Sequence, residues 1–112
     1  VRYFRTRFLK EADEFLAKLD QKAVKKMLYS IDLAEQTKDP RLFKKVRGNI
    51  WEFRSKYFGE QNRLLAFWDK TDNLETLVLA THGFVKKDQK ISQRELDKAE
   101  KIRKNYFARK NK

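Results

Sequence analysis

The spacing of apolar residues along the chain is helical at both ends and two-residue in the middle. Phe8, Ala12, Phe15 and Leu19 recur at helical intervals, joined by Leu9 and Leu16, which predicts an amphipathic helix over residues 7–19. Asp20 is suited to cap a second helix in which Val24, Met27, Leu28, Ile31 and Ala34 or Glu35 keep the period, ending before Lys38-Asp39-Pro40. The two helices make a hairpin. Pro40 can start one further short turn through Phe43, since proline is tolerated at the first helical position.

From Ile50 the period becomes two, with Trp51 and Phe53 on one face and Glu52 and Arg54 on the other. Phe58-Gly59-Glu60 reads as a turn, Arg63 to Asp69 as a second strand, Asp69 to Asn73 as a polar turn and Glu75 to Lys86 as a long third strand. Hairpin connections imply antiparallel pairing. Arg2 to Arg5 is a weak candidate for an added edge strand. Ser92-Gln93-Arg94-Glu95 has the form of a capping box, in which Ser92 accepts from the Glu95 amide and the Glu95 carboxylate reaches back to the Ser92 amide. The helix it opens carries Leu96, Ala99, Ile102 and Tyr106 on one stripe, and a basic tail is expected to be disordered from about Arg109. The predicted class is α+β: an N-terminal helical hairpin, a three- to four-stranded antiparallel sheet and a C-terminal helix, in one domain spanning 1–112.

With 112 residues the chain suffices for one core. Its net charge of +12 calls for a polyanionic partner, nucleic acid or an anionic membrane surface. The excess is uneven: Lys86 to Lys112 carries 11 basic against 4 acidic residues, and Arg41, Lys44, Lys45 and Arg47 form a second cluster. The absence of cysteine excludes disulfides and thiolate catalysis, and a single histidine argues against a structural zinc site. No apolar run has the length of a membrane span. A soluble cytoplasmic protein without cofactor or metal is expected.

The one histidine lies in Thr81-His82-Gly83-Phe84-Val85-Lys86-Lys87, where alternation puts His82, Phe84 and Lys86 on one face and Gly83 allows another backbone or a ligand to approach. A neutral imidazole there suits acid–base work on a ribose hydroxyl, with lysines to neutralise charge at phosphorus. The alternative is a half-buried histidine bonded to a neighbouring strand. Arg54 and Arg63, on strands joined by a hairpin, suit bidentate phosphate recognition if they share that face. Otherwise Arg54 pairs with Glu52 or another carboxylate and Arg63 is a solvated edge residue. Lys86, Lys87, Lys90 and Arg94, with Lys98 and Lys101, make an RNA-contacting run or a solvated helix face. Trp51, Phe53, Phe67, Trp68 and Phe84 are mostly core, with one available to stack on a base.

Ile50-Trp51-Glu52-Phe53-Arg54, Asn62-Arg63-Leu64-Leu65-Ala66-Phe67-Trp68 and Thr81-His82-Gly83-Phe84-Val85-Lys86-Lys87 together resemble the phage-derived, HigB-like branch of the RelE/ParE toxin superfamily, over about Phe8 to Tyr106. The resemblance implies a compact antiparallel sheet flanked by helices, ribosome-dependent mRNA cleavage and a neutralising helix-turn-helix antitoxin of the HigA kind. It places Arg63 at the family's phosphate-contacting arginine on the middle strand and Arg54 at a basic position on the strand before. Glu52 departs from the pattern, falling where RelE proper has a second basic residue, which implies either chemistry through His82 or weaker catalysis with another acid–base group.

The expected function is that of a metal-independent endoribonuclease, a toxin acting on mRNA at the ribosome through attack of a ribose 2′-hydroxyl on the adjacent phosphate. Arg63, Arg54 and His82 are its candidate catalytic residues, and Lys86, Lys87, Lys90 and Arg94 its candidate RNA contacts. The rival readings are a ParE-like inhibitor of DNA gyrase and a non-catalytic phage nucleic-acid-binding protein.

Overall fold

The computed structural model describes residues 1–71 and 77–111. Its elements run β1 (Arg5–Phe8), α1 (Lys10–Lys18), α2 (Gln21–Thr37), β2 (Phe43–Arg47), β3 (Ile50–Tyr57), β4 (Glu60–Asp69), β5 (Leu77–Lys86) and α3 (Gln93–Lys110). The strands form one sheet in the order β1-β5-β4-β3-β2, antiparallel except for β1, which lies parallel to β5.

This is the α+β class expected, with five strands in place of three or four. The edge strand is at Arg5–Phe8, not Arg2 to Arg5, and Phe8 belongs to it rather than to the first helix. Arg5 to Phe8 alternates in burial, and that period of two overrides the helical spacing of Phe8 with Ala12. β2 was not anticipated. Its Lys44 and Lys45 hide the pattern, but Phe43 stacks on Phe53 and Trp51 at 4.3 and 4.9 Å between ring centres, and exposed lysines suit an edge strand. The turn expected at Pro40 is present, with the Leu42 and Phe43 amides donating to the Asp39 carbonyl. β4 starts at Glu60, three residues earlier than predicted, and the expected turn residues Asp72 and Asn73 and the start of the third strand, Glu75 and Thr76, lie outside the described residues.

One face of the sheet carries Phe53, Leu64, Ala66, Val78 and Ala80 against Ala12, Met27, Ile31 and Ala34 of α1 and α2. The other carries Ile50 and Leu65 against Leu96 and Ala99 of α3. The sheet is thus the middle of three layers, with an apolar cluster on each side. Asp20 caps α2 as predicted, accepting from the Lys22 amide at 2.8 Å. Ser92 caps α3, but the capping box is only half made: its hydroxyl accepts from the Glu95 amide, while the Glu95 carboxylate turns to His82, 3.1 Å away.

The tail from Arg109 is helical through Lys110 and pinned. Asp69, at the buried end of β4, accepts from Tyr106 Oη and Lys110 Nζ, both at 2.6 Å. Burial opposes its charge, but the hydrogen bonds from Lys110, Tyr106 and Thr71 outweigh that and hold its carboxyl well below the usual range.

A bulge at Thr81 matters most for the site. Leu65 pairs with His82 and Ala66 with Ala80, so Thr81 is an extra residue whose hydroxyl donates to the Leu65 carbonyl at 3.1 Å. Val78 and Ala80 therefore face α1 and α2, while His82 and Phe84 face α3. Gly83 falls on the α1 side, where a Cβ would lie 2.2 Å from the Phe15 ring. The neighbour that requires glycine is thus neither a backbone nor a ligand but a core phenylalanine. Gly83→Ala is expected to cost about 1–3 kcal/mol by overpacking, read from urea unfolding; an unchanged midpoint would show that Phe15 yields freely.

Candidate nucleic-acid interface

Register brings the strand residues together in rows on the α3 face. Arg54 pairs with Arg63 and Arg63 with Phe84; the next row outward is Lys56, Gln61 and Lys86, and the next inward is Glu52, Leu65 and His82. Arg54 and Arg63 are therefore direct cross-strand neighbours. His82 shares their face but lies one row deeper, under α3.

β2 stops pairing at Phe53, so β3 has an uncovered edge beyond Arg54, whose amide donates to the Leu42 carbonyl. A cleft of 460 Å³ opens there against α2. Five cations line it, Lys26, Arg41, Arg54, Lys56 and Arg63, and among the described residues no carboxylate does. Arg41 is already paired with Asp39 at 2.8 Å. A larger cavity of 670 Å³ lies at the other end of β5, over Leu9, Leu77, Ile102 and Tyr106. The smaller cleft has the stronger claim to an anion, because a buried Arg63 Nε and a buried Ser55 Oγ on its lining residues lack hydrogen-bond partners among the described residues.

Glu52 organises the two arginines. Its side chain is 2% exposed, with Oε1 3.6 Å from Arg54 Nε and Oε2 3.6 Å from Arg63 Nε. Both are ion pairs beyond hydrogen-bond length. The Arg63 side chain is 3% exposed and donates to Gln61 Oε1 at 2.7 Å and the Asn62 carbonyl at 3.1 Å. Burial lowers its pKa, Glu52 counters this and Arg54 adds to it, and a guanidinium so placed stays charged at neutral pH. Arg54 is the outer member, 32% exposed. The alternative in which Arg54 pairs with Glu52 is realised, and the solvated edge position considered for Arg63 is not.

His82 is enclosed. Its side chain is 4% exposed, Nε2 lies 3.1 Å from Glu95 Oε1 and Nδ1 3.2 Å from Thr81 Oγ1. Burial lowers its pKa, only partly offset by Glu95. It is hydrogen-bonded as the alternative reading had it, but to α3 rather than to a strand. Placed so, the ring is buried beside α3 and is not one of the residues that line the cleft. The unfolded chain then takes up the histidine proton first, so this contribution to stability is whole above about pH 6.5 and is lost as pH falls below it. Since His82 is the only histidine, the thermal midpoint is expected to drop between pH 7.5 and 5.5. His82→Gln should flatten that slope, and an equal slope in the variant would refute the assignment.

Lys86 extends the cationic row beside Gln61, and Lys87, Lys90 and Arg94 follow, exposed, in the connection to α3 and its first turn. Sequence reasoning missed Lys26 and Lys56. Lys56 was findable, being two residues past Arg54 on the same strand face, whereas Lys26 carries no signal beyond a polar helix position.

An α+β sheet protein with a cationic cleft at an open strand edge is the class these features define. The chain belongs to the family described as phage derived protein Gp49-like (DUF891), whose model matches residues 14–104. That family is of the RelE-like toxin type of toxin–antitoxin systems. No curated protein matches the chain. Among the described residues no helix is long and apolar enough to cross a membrane.

Proposed function

We propose that the protein is the toxin of a toxin–antitoxin pair and cleaves mRNA on the ribosome. The observation that supports this most is the cleft lined by five cations, in which half-buried Arg54 stands over the buried Arg63 and Glu52. A scissile phosphate sits against the Arg54 guanidinium, whose fork matches two phosphate oxygens. Arg63 adds charge from behind and holds Gln61 in place. Lys26, Lys56 and Lys86 neutralise flanking phosphates, and Lys87, Lys90 and Arg94 extend the track.

In the reaction the ribose 2′-hydroxyl gives its proton to solvent as its oxygen bonds to phosphorus. The bond from phosphorus to the 5′-oxygen breaks, and that oxygen takes up a proton. The products are a 2′,3′-cyclic phosphate and a 5′-hydroxyl. Stabilisation of the charge building on phosphorus is the main contribution of the arginines. His82 acts as a positioning residue that ties β5 to α3 through Glu95. The same reading calls for a helix-turn-helix antitoxin, for which an acidic segment across the cleft is the contact its charge favours.

The test is to add purified protein to translating ribosomes and map mRNA ends. Cyclic-phosphate ends are expected. Intact mRNA at concentrations that stop translation would overturn the proposal, and stabilised gyrase–DNA complexes under those conditions would replace it with gyrase inhibition.

A further inference from the structure

The β3–β4 hairpin turns through two residues, Phe58 and Gly59, with φ of +50° and +78°, between the paired Tyr57 and Glu60. Positive φ at both central positions defines the type I′ turn, for which Asn-Gly or Asp-Gly is the favoured sequence. Glycine adopts that backbone freely. Phenylalanine does so under strain, because its Cβ crowds the backbone in the left-handed region.

Burial does not offset that strain. Phe58 is 89% exposed, and among the described residues the only ring it touches is Tyr57, edge-on at 4.7 Å. A large apolar side chain held at a hairpin tip in a conformation it disfavours serves neither folding nor solubility, and such strained positions gather at functional sites. Its surroundings indicate which kind. Lys56 is two residues before it, with Gln61 and Lys86 beside Lys56 in register, and Arg54 lies four residues back, about 13 Å along an extended strand. Within residues 56–61 the one acidic group is Glu60, on the far side of the turn. The β3 strand thus leads from the cationic cleft to an exposed aromatic tip. A phosphate track ending in an aromatic face is what single-stranded nucleic acid binds, because every base can stack whatever its sequence.

We propose that Phe58, backed by Tyr57, is a stacking platform for an unpaired base of single-stranded RNA whose phosphates run along Lys56 and Arg54. This rests on the RNA reading of the cleft. It adds a contact that carries no charge, and that difference makes the two separable.

The experiment measures binding of a fluorescently labelled, unstructured RNA oligonucleotide to the full chain over a range of salt concentrations. Phe58→Asn places the favoured Asn-Gly pair in the turn, so its thermal midpoint should stay level or rise. Its affinity should nonetheless fall roughly 5- to 100-fold, with an unchanged slope of log affinity against log salt, since no cation is removed. Lys56→Ala should reduce that slope instead. Phe58→Trp should bind like the parent and show indole quenching beyond that of the two native tryptophans.

Equal affinity of Phe58→Asn and the parent, with Lys56→Ala still weakened, would overturn the platform and leave the cleft standing. No RNA binding by the parent would overturn both. Unaltered RNA binding by Phe58→Asn together with lost growth arrest would make the tip a protein-docking surface and overturn the stacking role.

Discussion

Arg54→Ala is expected to lower the rate of mRNA cleavage on translating ribosomes by about 10²- to 10³-fold, the scale of removing one preorganised donor from a developing oxyanion. Arg54 is the one arginine of the pair that solvent reaches, 32% exposed against 3% for Arg63. Its removal leaves Glu52 paired with Arg63, so unfolding should move by only about 1 kcal/mol. Activity would then fall with little loss of stability. Arg54→Lys should fall between, keeping the charge but losing the two-point match to phosphate. Arg63→Ala is the necessary contrast, since it strips a buried cation from Glu52 and should lower stability and activity together. End mapping at saturating protein, with urea unfolding of each variant, separates the two. Cleavage by Arg54→Ala within a few-fold of the parent would remove Arg54 from the chemistry.

That Arg54 and Arg63 face each other was nearly legible in the sequence. Alternation within each strand and the Phe58-Gly59 turn between them suffice to place both on one side, because a two-residue hairpin fixes register. The placement of His82 on that side was not, since it depends on the bulge at Thr81, which reverses the alternation between Ala80 and His82 and leaves no mark in composition. Nor did the sequence show that α3 would cover His82. Ser92 and Glu95 read as a closed capping box, and only the folded chain reveals that a buried imidazole draws the glutamate away. β2 stayed hidden because an edge strand meets the core mainly through Phe43, while its lysines look like a loop. Charge was legible in amount but not in place, because Lys26 and Lys56 lie far from the basic terminal run and meet at the cleft only once α2 packs beside β3.

The second large effect concerns the residue that departs from the RelE pattern. Glu52→Ala is expected to lower unfolding free energy by about 3 kcal/mol, because breaking a buried pair leaves an uncompensated charge. The value belongs at the low end of that range, as Glu52 holds Arg63 at 3.6 Å and not in a hydrogen bond, and Arg63 keeps Gln61 and the Asn62 carbonyl. Urea unfolding with an unchanged slope reports it. The double variant Glu52→Met with Arg63→Met distinguishes lost charge pairing from lost volume, since apolar replacement of both partners should recover most of the deficit. A double variant no better than Glu52→Ala would locate the cost in packing. A basic residue at position 52 would set a third cation against two buried or half-buried guanidiniums. The carboxylate lets Arg63 be buried and charged, and leaves Arg54, 32% exposed, as the member of the pair that the cleft can use.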